Sequence, residues 1–335
     1  MLGAHYSSIS RRLSRRIASF IPPGASWSEP PQKVPHRFFP LEPSLAERRS
    51  RNSTVLFVPR IIHMKKINLT VHGISISSYY HHSPRTPVLL VHGNSSCKEI
   101  FKNQIDALSR FGHTVLAPDL PGHGESGNSR TPRSTYSFPG YVDILTGLLD
   151  RLEIDRCHVV GWSLGGHIGL ELWHRNPRMA SLTISGTPPV RLSPAGVSDG
   201  FVASSKMDLA GTRVFDEHDV SAYGTAMLGR RLDRRTRLAR MIARTDGRAR
   251  FWMLKHGLAG CGIDEVKAVR SCRRPLAIIQ GRRDPFVNID YLHGLTYKNL
   301  WRHRPVLIDA GHAPHWEQPR IFNRCLFSFL KEVDA

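Results

Sequence analysis

A chain of 335 residues, 40% hydrophobic and with a formal net charge of +20, holds enough apolar residues for a sizeable buried core. That excludes a wholly disordered protein, and the absence of any run of 18 apolar residues excludes a membrane-spanning helix. So basic a chain raises the question of an anionic partner, yet no RNA- or DNA-binding motif accompanies the charge, so neither a specific nucleic acid nor a membrane is expected.

Residues 1–63 carry ten Lys and Arg against three Glu, together with seven prolines between Pro22 and Pro43. Such a segment cannot bury enough apolar surface to fold alone and reads as a disordered basic extension. Its first twenty residues are rich in Arg and Ser and lack acids, as organellar transit peptides do; the simpler account places the authentic start at Met64, directly before the first strand-like segment. No secretory apolar stretch is present, and Cys97, Cys157, Cys261, Cys272 and Cys325 form no C-x-x-C pair. Reduced thiols and a cytoplasmic location follow as expectations.

From Met64 onward, short apolar runs alternate with helical periodicity, the pattern of a mostly parallel sheet wrapped by helices. Strands at 66–71 and 74–80 flank His72-Gly73 and suggest a hairpin. Further strands are expected at 88–91, 114–117, 157–160, 181–185, 276–280 and 306–308. Helices are expected near 101–110, 141–152, 164–175, 290–300 and 321–333. Ile144, Leu145, Leu148, Leu149 and Leu152 carry the helical spacing most clearly. After Gly186 the alternation stops and resumes at Ile263. The organisation expected is a core at 64–186 and 263–335, with a helical cap at 187–262 inserted after the sixth of eight strands.

Gly161-Trp162-Ser163-Leu164-Gly165 fits the G-x-S-x-G elbow, in which a sharp turn from strand to helix lifts a serine hydroxyl above the sheet. A serine needs a base to take its proton. His312 follows the last strand and supplies one, with His315 three residues on as its competitor. The acid that orients the base belongs after the preceding strand. Asp284 lies there; Asp309 and Asp119 are the alternatives, the latter in a turn at 119–124 that shapes the pocket rim. Backbone amides of Leu164 and Asn94 are the candidate oxyanion donors, Gly93 allowing close approach and His92 holding the loop. Asn94 could also offer its side chain, and Asn94, Trp162 and Tyr223 are expected to contact substrate. No metal constellation is visible, and no cofactor is expected.

These residues together make the chain resemble the acyl-homoserine lactonases built on the α/β-hydrolase fold. The segments that carry the resemblance are 92–96, 118–124, 161–169, 186–190, Asp219-Val220 with Tyr223, 243–250, 299–301 and 311–314. The resemblance implies metal-independent opening of a lactone ring by Ser163, His312 and Asp284, the last at a position where such an enzyme can carry Glu. It implies that Tyr223 hydrogen-bonds the lactone, and that the partner is a small acyl or lactone molecule. The cap segments 190–208 and 226–238 match poorly, which leaves the acyl-chain preference open.

Three other readings stay open at this stage. One is a carboxylesterase or carbon–carbon hydrolase with the same triad, another a non-catalytic ligand receptor on the same fold. The third is polyanion binding through the arginines of 1–63 and 230–250, although such charge runs are mostly solvated faces. Dehalogenases and epoxide hydrolases of this fold need Asp where Ser163 stands.

Overall fold

A computed structural model describes residues 64–335, apart from Arg234 and the Ser205 side chain. The reading of 1–63 lies outside the described residues. Strands β1 (Lys65–Val71) and β2 (Ile74–His81) pair antiparallel across His72 and Gly73, whose φ values of 46° and 73° are both left-handed, as a tight hairpin turn demands. The sheet continues with β3 (Arg85–Val91), β4 (His113–Pro118), β5 (Cys157–Trp162), β6 (Met179–Ser185), β7 (Leu276–Gly281) and β8 (Val306–Ile308). Its order is β1-β2-β4-β3-β5-β6-β7-β8, antiparallel as far as the β2–β4 pair and parallel beyond it.

Helices α1 (Lys102–Arg110), α2 (Phe138–Arg151) and α3 (Leu164–Arg175) connect the first strands. Between β6 and β7 run α4 (Pro194–Gly200), α5 (Glu217–Leu228), α6 (Arg237–Arg244), α7 (Gly247–Leu258) and α8 (Glu265–Ser271). The chain closes with α9 (Ile289–Gly294) and α10 (Pro319–Val333). Side-chain caps fix where the inserted helices start. Asp216 accepts from the Asp219 amide in a capping box on α5, while Thr236, Asp246 and Asp264 cap α6, α7 and α8.

A parallel sheet buries both faces, and successive side chains of a strand serve opposite ones. Along β3, Leu89 and Val91 enter a cluster with Tyr141, Ile144 and Leu148 of α2 and Ile168 and Leu172 of α3. Val88 and Leu90 enter the other, with Ile105 and Leu108 of α1 and Phe322, Leu326 and Phe329 of α10. The apolar run 88–91 therefore reads as continuous because helices cover it on both sides.

Two expectations are corrected. The helix expected at 290–300 stops at Gly294, because the backbone beyond it is bonded elsewhere. Lys298 N–H donates to Val269 C=O at 2.8 Å, and Asn299 C=O accepts from Leu276 N–H at 3.0 Å. The segment thus runs beside the start of β7, with Leu300 bridged to Leu276. The arginines of 230–250 are also not a uniformly solvated face. Arg237 pairs with Glu99 and Glu125 at 2.8 and 2.9 Å, and Arg250, only 2% exposed, donates to the carbonyls of Thr212 and Arg213 and to Ser95 Oγ.

Close packing at the elbow sets the tolerance of the fold. A Cβ on Gly165 would lie 2.0 Å from the Val91 carbonyl oxygen, a backbone atom that cannot swing aside. Gly165→Ala is therefore expected to cost at least about 2 kcal/mol in urea unfolding, the scale of forced overpacking; an unchanged midpoint would contradict this packing.

Candidate active site

Strand β5 ends at Trp162 and α3 begins at Leu164, so Ser163 makes the whole reversal, with φ 54° and ψ −122°. Non-glycine residues rarely adopt such angles, and the turn survives only where its neighbours enforce it. A Cβ on Gly161 would stand 2.3 Å from the Gly165 carbonyl oxygen, which explains the glycine on that side of the serine. A Cβ on Gly93 would meet the Trp162 ring at 2.9 Å and Ser163 Cβ at 3.1 Å. The loop after β3 thus lies against the serine.

Asp284 follows β7, is 8% exposed and accepts four hydrogen bonds. Its Oδ2 takes His312 Nδ1 at 2.8 Å and Gln280 Nε2 at 2.7 Å; its Oδ1 takes the amides of Phe286 and Val287 at 2.9 and 3.3 Å. Burial alone would raise its pKa, but the adjacent His312 ring and these donors outweigh burial and hold the carboxyl below its usual range. An ionised carboxylate only accepts, so Nδ1 of His312 carries a hydrogen and the ring is oriented with Nε2 pointing away from Asp284. Ser163, Leu164, Asn94, Tyr223 and His312 all line one cavity of about 860 Å³, counting its open mouth. Its other walls are largely apolar, with Phe138, Phe201, Met207, Met227 and Met253 prominent.

The alternative acids are otherwise engaged. Asp119 is fully buried and binds Lys98 Nζ at 2.6 Å and the amides of Lys98 and Glu125; Asp309 is exposed and pairs with Arg283. The competing base, His315, is fully buried among Phe101, Trp162 and Phe322, and both its ring nitrogens lack partners among the described residues. His92 keeps its loop in shape, its Nδ1 donating to Gly93 C=O and its Nε2 accepting from Leu120 N–H, and burial lowers its pKa so that it stays neutral.

Leu164 opens α3, where the first amides of a helix have no intrahelical acceptor, and it faces the cavity. Asn94 faces the cavity too, but its side-chain amide is already bonded to Ala210 C=O at 2.9 Å, and its own carbonyl accepts from Tyr223 Oη at 3.4 Å. Burial raises the Tyr223 pKa, so its hydroxyl stays protonated and able to donate. Trp162 is 1% exposed and donates from Nε1 to the His312 carbonyl at 2.8 Å, which holds the histidine loop; it lines a smaller pocket with Asn94 and Tyr223 and not the main cavity.

Several supporting residues escaped the sequence. Gln280 bridges Asp284 and Gly186, its Oε1 accepting the Gly186 amide at 2.8 Å, and its only sequence signal is one amide at the end of an apolar strand. Glu317 accepts from the amides of Gly311 and Ala313 on both sides of His312. Lys98 is fully buried yet ties Asp119 to Glu125, which also binds Arg237 of α6. Among the described residues one grouping has cation-ligand spacing, Asp216, His218 and Asp219; its two carboxylates already cap α5.

Fold and site together define a hydrolase of the α/β type. The family model for the alpha/beta hydrolase fold matches residues 86–319, and the chain belongs to that family. A mutant of the N-acyl homoserine lactonase AidH, complexed with N-hexanoyl homoserine lactone, is 36% identical to it with a TM-score of 0.77, over 81% of this chain and 98% of that one. A 2-hydroxy-6-oxononadienedioate/2-hydroxy-6-oxononatrienedioate hydrolase of Burkholderia vietnamiensis is 26% identical over 294 residues, 80% of this chain and 95% of the relative. A haloalkane dehalogenase of Psychrobacter cryohalolentis is 32% identical over 125 residues, 37% of this chain and 41% of the relative. Among the described residues, no helix is long and apolar enough to cross a membrane.

The buried histidine beside the site gives a pH test. Burial, and then the charge of nearby His312, push His315 down to about 3. Its folded pKa lies below the unfolded value of about 6.5, so its contribution to stability is full above about 6.5 and is lost as pH falls towards about 3. His315→Phe is therefore expected to flatten the fall of Tm between about pH 6 and 4, where one proton is worth about 1.4 kcal/mol per pH unit. Parallel curves for the two proteins would contradict this.

Proposed function

We propose that the protein opens the lactone ring of N-acyl-homoserine lactones through an acyl-enzyme at Ser163. His312 Nε2 takes the Ser163 proton as Oγ attacks the lactone carbonyl carbon, and the resulting oxyanion rests on the Leu164 and Asn94 amides. The tetrahedral carbon then expels the ring oxygen, which receives that proton from His312 and becomes the homoserine hydroxyl. Water, deprotonated by the same imidazole, attacks the Ser163 ester; its carbonyl re-forms, Oγ leaves with the proton, and N-acyl-homoserine departs. Asp284 fixes the tautomer and stabilises the imidazolium at both steps, and no metal or cofactor is used.

The observation that carries this reading is the His312–Asp284 bond of 2.8 Å in a cavity that Ser163, Asn94 and Tyr223 also line. The likeness to AidH, which spans 98% of that chain, supports a lactone within the wider class. Tyr223 holds its one hydroxyl hydrogen on the Asn94 carbonyl at a long 3.4 Å and can turn it to the lactone when substrate enters. The dehalogenase likeness does not extend to its chemistry, because a displacement at carbon needs an Asp where Ser163 stands.

The test is a substrate panel on the full chain: N-acyl-homoserine lactones of several chain lengths, p-nitrophenyl esters and a vinylogous 1,5-diketone acid for carbon–carbon cleavage. Lactones should be turned over best, and Ser163→Ala should lower kcat/KM by at least about a thousandfold. Ester-only or diketone-only turnover would reassign the substrate. Turnover that Ser163→Ala leaves intact would overturn the mechanism.

A further inference from the structure

A second histidine–carboxylate pair faces the same cavity, and the acyl-transfer mechanism does not use it. His167 lies one helical turn beyond Ser163 on α3, is 8% exposed and lines the cavity. Its Nδ1 lies 2.8 and 3.0 Å from the two oxygens of Glu265, which is 1% exposed and also accepts the Val190 amide at 2.9 Å. Phe138 stacks on the imidazole with ring centroids 5.7 Å apart, and Phe201 packs at 5.9 Å. The ring is therefore fixed in both tilt and tautomer: Nδ1 carries the hydrogen, because a carboxylate only accepts.

Its other nitrogen is the informative atom. Among the described residues no atom bonds Nε2 of His167, yet it is not among the fully buried atoms that lack a partner, so it is open to the cavity. A polar group held this rigidly between Phe138 and Phe201 costs desolvation unless a ligand meets it. Four residues of helix place it about 6 Å along α3 from the nucleophile, and helical side chains lean back towards the N-terminus, here towards Ser163.

We propose that His167, oriented by Glu265, is a specificity residue that hydrogen-bonds an oxygen substituent on the acyl part of the substrate, a few bonds from the reacting carbonyl. This deepens the lactonase reading and rests on it, and it names the class: acyl chains oxygenated at the 3-position over plain ones. Nε2 accepts from a 3-hydroxyl when the ring is neutral and donates to a 3-oxo group when it is protonated. The rest of the chain needs only the apolar wall.

The experiment compares kcat/KM for 3-hydroxy-, 3-oxo- and unsubstituted N-acyl-homoserine lactones of equal length, in the wild type, His167→Leu and His167→Gln. The wild type should favour an oxygenated chain. His167→Leu should reduce that ratio by about tenfold, the scale of one lost hydrogen bond with its partner left unmet. His167→Gln, which keeps a polar tip, should recover part of it, and it stands as the test if the leucine variant does not fold. The same ratio is read on p-nitrophenyl 6-hydroxyhexanoate against hexanoate, whose hydroxyl lies as many bonds from the reacting carbonyl as a 3-hydroxyl does in the lactone, so a failure of the lactone assignment is distinguishable from a failure at His167. Should neither class turn over, calorimetric binding of the corresponding N-acyl-homoserines to Ser163→Ala gives the ratio. Equal preference in wild type and variants would overturn the proposal.

Discussion

Ser163 is held at φ 54° and ψ −122°, a conformation that costs a side-chain-bearing residue on the order of 1–3 kcal/mol, and the surrounding chain is arranged to impose it. Gly161 and Gly165 let the turn close on itself, and Gly93 lets the loop after β3 come up against it. The Ser163 amide is bonded to Ser185 C=O at 2.8 Å, while the Ser163 carbonyl accepts from Thr187 Oγ1 at 2.9 Å. One strained residue thereby connects the ends of β3, β5 and β6. The cavity floor is the place where these ends meet.

The histidine is positioned by the opposite strategy, several ordinary bonds in place of one strained residue. Asp284 takes the ring from one side, Trp162 takes the His312 carbonyl from below, and Glu317 takes the amides of both neighbours. Gln280 then locks Asp284 to the Gly186 turn. The helices over the cavity are tied to the core by charge. Lys98, Asp119, Glu125, Glu99 and Arg237 form one continuous ion-pair network from the Asn94 loop to α6. Arg250 adds bonds to Ser95 and to the carbonyls before α5. A basic composition that suggested an external anion is in part spent inside the molecule.

How much of this the sequence disclosed depends on the range of the interaction. The elbow was legible because its requirements fall within five consecutive residues, and the strands because their apolar runs reflect burial on two faces. Asp284 and His312 were legible from chain order, each following a recognisable strand. The bond from Trp162 to the His312 loop was not legible, because its acceptor is a carbonyl 150 positions away. The helix beyond Gly294 was overextended because Lys298 and Asn299 bond to separate segments, which local propensity does not register. His167 and Glu265 are 98 positions apart and carry no joint motif, so only the fold brings them together.

The central claim is that Ser163 is the activated nucleophile of a relay through His312 and Asp284, and covalent labelling tests it most directly. A fluorophosphonate reacts with a serine only when a base draws off its proton and an oxyanion site receives the phosphonyl oxygen. Intact mass and peptide mapping of the treated protein should show one adduct, on Ser163, and His312→Ala should abolish it. A folded protein that stays unlabelled, or that is labelled elsewhere with Ser163 free, would contradict the account.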